Sequence, residues 1–464
     1  MIRWRSETQT IHCSEGEAGH NVSLWGTMGN TQGLPTISPK LKRIAELAKS
    51  DPAIQFTSIF HLMDINLLRE AYTQLRKDAV PGVSGQTAQD YEEHLEENLI
   101  LLHKQLKVMR YKAPPVKRHW IDKDDGKKRP LGIPEFEDKI VQKAAEMILS
   151  PIYEEDFYDH SHGFRKGHSQ HQAIKEIRGN IRRLNIGWII DADIKGFFDN
   201  INHEHLREFI RARVNDGRII RLIGKWLNAG VLDGKELFYP DTGTPQGGVI
   251  SPLLANIYLH YVLDEWFEEM IKPRLTGMCF LIRYADDFII GFDTEEDASR
   301  VMKVLPKRFN RYGLTIHTEK TKLIDFRKPS SGNDIFKGAG TFDFLGFTHY
   351  WAKSRNGYWI VKRKTAKKKL NRSMKAIWKW CRNNRHINIK EQWELLNSKL
   401  RGHYQYYGIR SNYKSLEVYY EYLMKAWKRW LGRRSQDGYI SYAKFEKMLE
   451  KYPLLLPQIV HLDV

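Results

Sequence analysis

Apolar residues recur at helical spacing in SPKLKRIAELAKS, where Ser38 reads as an N-cap and Pro39 as the first helical residue. DINLLREAYTQLRKDAV repeats that spacing and is stopped by PGVSG. The period then changes: KRHWIDKDDGKKRPLGIP gives two short strand-like runs around Asp125-Gly126, a hairpin signal. From there helical segments alternate with short apolar strands, among them GWIIDAD and the two halves of FLIRYADDFIIGF. Beyond FDFLGFTHYW the pattern becomes long basic, aromatic helices to residue 435, then a short tail. Residues 1–35 are rich in Gly, Ser, Thr and Asn, lack periodicity and read as a loose extension. No repeat of solenoid period is visible. Helices and strands in this order predict an α+β fold.

Composition narrows the partner. The chain carries 74 Lys plus Arg against 56 Asp plus Glu, a formal charge of +18, with 12% aromatic residues, which points to nucleic acid. Cys13, Cys279 and Cys381 form no C-x-x-C pair, so neither a disulfide framework nor a cysteine zinc site is indicated, and a reducing, cytoplasmic setting is expected. The start, MIRWRSETQTIH, has no apolar h-region, and no apolar run is long enough to span a bilayer. The four histidines of HSHGFRKGHSQHQ lack a cysteine or a helix-spaced carboxylate and do not read as a zinc site.

Charge patterning then singles out RYADDFII, which sets Asp286 and Asp287 side by side between apolar flanks. Two like charges placed there repel each other and lose hydration unless a cation compensates. A second carboxylate cluster lies in GWIIDADIKGFFDNINHEHL, where an apolar strand leads to Asp193, a Lys-Gly turn, two phenylalanines and a helix that Asn202 can cap. If the two strands are neighbours, three carboxylates from separated segments meet. Hard oxygen ligands of that kind suit Mg²⁺, with Mn²⁺ as an alternative. A pair of such ions can activate a 3′-hydroxyl and stabilise a leaving pyrophosphate. The plainer alternative is a polar hairpin turn and an ordinary strand end.

YADD, the upstream DIKGFFD and the intervening TPQGGVISPLLANIYL together resemble the palm of a reverse transcriptase, in particular the group II intron-encoded reverse transcriptase/maturase family. The resemblance runs in order from residue 56 to 435. It implies a right-hand polymerase: an N-terminal extension (1–55), fingers and an antiparallel palm (56–350), a helical thumb or maturase domain (351–435) and a tail without endonuclease (436–464). It implies Asp193, Asp286 and Asp287 as metal ligands, with Asp191 the second choice on the same strand face. It further implies an RNA template, a DNA primer, dNTPs and intron RNA as partners, with a role in splicing and retromobility. A host-retained enzyme of repair or defence, no longer attached to an intron, is the open alternative.

Other residues follow from the same resemblance. Phe198 beneath the sugar would leave no space for a 2′-hydroxyl, although one ring of the Phe197-Phe198 pair must pack inward. Gln246, between turn and glycines, would face the nascent base pair. Lys123 and Arg129 would grip the triphosphate, and they pair across the hairpin only if its loop is Asp124 to Lys128. Lys320 is either the proton donor to pyrophosphate or a surface lysine. Arg165 in GFR is a candidate RNA contact. Residues 344–390 contain no Asp or Glu, so a helix through Lys367, Lys368 and Lys369 repels itself unless it lies along phosphates.

Overall fold

The computed structural model describes residues 39–122, 128–234, 236–239, 242–244, 247–329, 340–435 and 438–464. Helix α1 (Pro39–Ser50) starts on the proline and buries Leu41, Ile44 and Ala48, one helical stripe. Asp64 caps α2 (Ile65–Gln74) by accepting from the Leu67 N–H. Thr87 and Asp90 form a capping box on α3 (Ala88–Glu92), which leads into α4 (Leu95–Lys107). These helices close over α5 (Phe136–Tyr153), whose buried residues recur around most of its circumference.

The expected hairpin is present as β1 (Val116–Asp122) and β2 (Lys128–Ile133). Its register sets Ile121 opposite Arg129 and Asp122 opposite Lys128, which closes the pairing at Asp122 and Lys128 among the described residues. Lys123 itself lies outside the described residues.

After α6 (Gln170–Arg183) come β3 (Trp188–Ala192) and β4 (Ile194–Lys195). Helix α7 (His203–Arg213) is capped by Asn202 as the sequence predicts, its side chain accepting from Glu204 and His205 N–H. Helix α8 (Gly217–Leu227) precedes β5 (Val231–Asp233) and β6 (Glu236–Phe238), which extend the hairpin into a sheet ordered β2-β1-β5-β6. Helix α9 (Ser251–Leu259) takes Pro252 in its first turn and runs on as π-helical turns over His260–Asp264 and Trp266–Ile271.

The central sheet has the order β10-β3-β8-β7, with β7 (Cys279–Tyr284), β8 (Asp287–Phe292), the helix α10 (Glu295–Arg311), the short β9 (Thr315–Ile316) paired to β4, and β10 (Lys322–Asp325). β3, β7 and β8 are nearly continuous apolar runs because helices cover both faces. Alternate residues enter different cores. Ile190, Phe288 and Ile290 pack with α9 and α10, whereas Ile189, Ile282 and Ile289 pack with α6.

Two expectations are corrected beyond this sheet. Residues 359–365, read as part of the long basic helices, are a strand: β11 (Phe342–Phe344), β12 (Phe347–Lys353) and β13 (Trp359–Thr365) form an antiparallel sheet. In WIVKRKT the inward positions are Val361, Arg363 and Thr365, so a period of two was hidden by inward polar residues. The helical bundle follows as α11 (Lys367–Asn383), α12 (Ile389–Tyr407) and α13 (Tyr413–Leu431). Its core includes Leu396, Leu400, Tyr404, Tyr419 and Trp427, while Lys367, Lys368, Arg372, Lys375 and Lys379 point to solvent. The residues read as a tail also belong to it. Ser441 caps α14 (Tyr442–Lys451), Phe445 and Leu454 enter the bundle core, and Tyr404 Oη donates to Leu455 O at 3.1 Å.

Candidate active site

β7 and β8 are joined by a two-residue turn, Ala285-Asp286, with Tyr284 opposite Asp287. Ala285 has φ of 55°, a left-handed conformation that an alanine adopts only when its surroundings enforce it. β3 runs antiparallel to β8 with Ala192 opposite Phe288, so the register carried one step further sets Asp193 across from Asp287. Asp191 and Asp287 share the parity of Ile189 and Ile289, and so lie on the face turned to α6 and β11–β13.

The electrostatics record the same convergence. Burial raises the Asp287 carboxyl above its usual range, and the charges of Asp286, Asp193 and Asp191 raise it further. Asp286 is raised by burial and by Asp193, while the Arg129 guanidinium acts in the opposite direction from the hairpin. Asp191 is pushed up to about 6 by burial, then by Asp343 and Asp193. Asp287 nevertheless keeps an exposed surface. An open carboxylate that is still strongly desolvated fits the floor of a cleft, with protein mass on several sides.

Asp193 is held by its backbone: its N–H donates to Thr321 Oγ1 at 3.3 Å and its carbonyl accepts from His317 N–H at 2.8 Å. Lys320 Nζ donates to Asp193 Oδ2 at 2.9 Å, which gives this lysine a use as counter-ion. The donor set is hard oxygen, the kind that suits a divalent cation rather than a thiolate- or imidazole-seeking metal. Among the described residues no three His, Cys, Asp or Glu side chains approach closely enough to form a ligand cage. The carboxylates therefore fit such an ion in the chemistry of their donor atoms.

Phe197 and Phe198 lie on a single 3₁₀ turn after Gly196, and both rings are buried, at 2% and 7% exposure, in an edge-on pair with centroids 5.2 Å apart. The sequence required only one inward ring. Phe198 O accepts from Thr244 N–H at 2.8 Å, and a Cβ at Gly243 (φ 92°) would lie 2.9 Å from the Phe198 and Asp199 carbonyls. Gly247 approaches β2 equally closely: a Cβ there would lie 2.6 Å from Gly132 O. The glycines thus bring the loop against both the aromatic turn and the hairpin. Gln246 lies outside the described residues.

Arg165, the candidate RNA contact, is largely buried: its Nε donates to Glu154 Oε2 at 2.9 Å and its Nη1 to Tyr158 O and Ser161 O at 2.7 and 2.8 Å, so the guanidinium faces inward. Histidines of the same segment also have internal uses: His162 Nε2 lies 3.2 Å from Glu176 Oε2, and His171 Nε2 lies 2.8 Å from Tyr406 O. Lys367 and Lys368 are exposed at the start of α11, whereas the partly covered Lys369 is close enough for its charge to lower the Asp287 carboxyl. Sequence reasoning missed Asp343, although an acid inside FDFLGF was a visible signal, and missed Gly243. No described helix is long and apolar enough to cross a membrane.

Comparison with known proteins identifies the family. Residues 121–349 match the family described as Reverse transcriptase (RNA-dependent DNA polymerase). The chain is similar to group II intron-encoded protein LtrA of Lactococcus lactis subsp. cremoris, with 31% identity over 467 positions that cover 83% of this chain and 76% of that protein. Protein YkfC of Escherichia coli K12 is 34% identical over 288 positions, 55% of this chain and 75% of that one. The putative COX1/OXI3 intron 1 protein of Saccharomyces cerevisiae is 29% identical over 316 positions, 56% of this chain and 37% of that one.

Proposed function

The chain belongs to the group II intron-encoded reverse transcriptase/maturase family, an RNA-directed DNA polymerase family, and from that premise we propose that it copies RNA onto a DNA primer and binds its own intron RNA to aid splicing and retromobility. The observation that supports the polymerase reading is that the charges of Asp193, Asp286 and Asp287 act on one another at the β7–β8 turn. In this reading β1–β2 belong to the fingers, the β10-β3-β8-β7 sheet is the palm, and α11–α14 form the thumb.

Asp193, Asp286 and Asp287 would hold two Mg²⁺, or Mn²⁺, which supply activation of the 3′-hydroxyl and neutralisation of the leaving pyrophosphate. The protein's own groups orient the reactants. Arg129, whose charge already reaches Asp286, offers a planar fork to the triphosphate. Phe198 closes the space under the sugar. The exposed lysines of α11 hold the duplex by its phosphates.

Purified protein should extend a DNA primer on an RNA template in Mg²⁺ and stop when the metal is chelated. No extension under any divalent ion would sink the polymerase reading. Phe198→Ala should raise the kcat/KM of ribonucleotides relative to deoxyribonucleotides. Removing a buried ring costs about 3–5 kcal/mol of stability, so the ratio is the right readout because the folded fraction cancels in it. An unchanged ratio would remove Phe198 as the gate.

The maturase role has a separate test. A protein that recognises folded RNA by shape should prefer it to bulk RNA even when phosphate attraction is matched. At physiological salt with competitor present, the protein should bind the intron around its own gene about 100-fold more tightly than unrelated RNA. Equal affinity would leave a reverse transcriptase of repair or defence.

A further inference from the structure

Behind the Ala285-Asp286 turn lies a fully buried cluster that the chemistry above does not use. Arg283 stands opposite Phe288, on the sheet face away from Asp191 and Asp287, with a side-chain exposure of 0%. Its Nε donates to Asp264 Oδ1 at 2.8 Å and its Nη2 to Asp264 Oδ2 at 2.5 Å. Its Nη1 reaches Asn256 Oδ1 at 2.9 Å and, two residues along its own chain, Ala285 O at 3.1 Å. Asn256 Nδ2 in turn donates to Gly163 O at 2.7 Å.

Gly163 completes the enclosure. A Cβ there would lie 2.2 Å from Ala285 N, so the 160–163 segment presses its backbone against the turn. That segment also exchanges hydrogen bonds with the Arg283 backbone, His162 N–H to Arg283 O at 2.8 Å and Arg283 N–H to His160 O at 2.9 Å. The left-handed Ala285 is thereby gripped from outside by Gly163 and from inside by the guanidinium.

The placement of Asp264 is itself unusual. In a continuous α-helix eight residues turn through about 800°, leaving Asp264 about 80° round from Asn256. The wider π winding over His260–Asp264 takes up much of that offset, so both side chains reach one guanidinium. A pair of well-packed apolar residues would usually fill such a site with no loss of stability. A buried ion pair with a third direction committed to a turn carbonyl therefore suggests a task beyond packing.

We propose that Arg283 is a positioning residue, which through Asp264 and Asn256 fixes the Ala285-Asp286 turn so that Asp286 and Asp287 face Asp193. Lysine cannot substitute, because one ammonium cannot span Asp264, Asn256 and Ala285 O as a planar fork does. The inference rests on the polymerase reading above.

The test uses the full chain as Arg283→Lys and as the double variant Arg283→Met/Asp264→Leu, with wild type and Asp286→Asn alongside. The double variant replaces both charges by apolar groups and should melt cooperatively near the wild-type Tm. Both should bind primer–template with wild-type Kd. Each should lose about 100-fold in kcat, with dNTP KM changed by no more than about 3-fold, since misplacement near the chemistry acts on the transition state. Mn²⁺ affinity, read by electron paramagnetic resonance without turnover, should weaken by about 10-fold. A folded variant with kcat and Mn²⁺ affinity within about 3-fold of wild type would overturn the proposal. If the double variant does not fold, Arg283→Lys, which keeps the charge facing Asp264, decides alone. Failure of wild type to extend the primer would instead overturn the polymerase reading, so the two failures are distinct.

Discussion

Asp286→Asn will give a folded protein that no longer extends a DNA primer. The substitution keeps the shape of the turn residue and removes one charge. If Asp286 carries part of a divalent ion's charge during phosphoryl transfer, several kcal/mol of transition-state stabilisation disappear, about 1,000-fold or more in kcat. Unfolding is not an alternative explanation, because the expected effect on stability has the opposite sign. In the metal-free protein the Asp286 carboxyl is raised by burial and by the charge of Asp193, and it in turn raises Asp287. A group raised on folding disfavours the folded state once pH passes its unfolded value, and the neutral amide removes that repulsion. At neutral pH without metal the variant should melt at or above the wild-type Tm, while primer extension falls to background. Synthesis retained within tenfold would overturn the assignment of the carboxylate site.

Neutralising Lys367, Lys368 and Lys369 together should produce the second large change, in binding. The three open α11, where cations are unfavourably placed against the positive end of the helix dipole. Phosphates at that position would satisfy both the lysines and the helix N–H groups. Losing three phosphate contacts should reduce the slope of log K against log salt by about 2 to 3 and weaken duplex binding by about 10- to 100-fold near physiological salt. The members are not equivalent. Lys369 alone also acts on Asp287, so its single replacement should lower kcat, whereas Lys367 and Lys368 should change only affinity. Fluorescence anisotropy across a salt series would separate these outcomes, and an unchanged slope would place the duplex elsewhere.

Some of this molecule is written in short stretches of chain. The amphipathic run of α2, the capping of α7 by Asn202, the two strands around Asp286-Asp287 and the basic hairpin all depend on groups a few residues apart, and local pattern recovers them. The carboxylates were legible for the same reason: two adjacent charges inside an apolar strand pattern conflict with burial wherever the strand is placed. Local reading failed where inward polar residues masked a period, as in β13, or where a short amphipathic run followed a polar stretch, as in α14.

Partnership across the chain could not be read this way. That Arg165 turns inward to Glu154, that both Phe197 and Phe198 are buried, and that Arg129 faces Ile121 are matters of which distant surface each residue meets. Arg283 is the clearest case. In sequence it is one more basic residue before YADD, in a chain with 74 of them. Only the packing of α9, its π-helical continuation, the 160–163 segment and β7 encloses it with Asp264 and Asn256. The sequence by itself determined many of the helices and strands, the hairpins and the cap of α7 among them, and set two carboxylates side by side where burial opposes both charges. The tertiary structure decided which charges are buried and which face solvent, because desolvation and hydrogen bonding depend on atoms brought together from segments far apart in the chain.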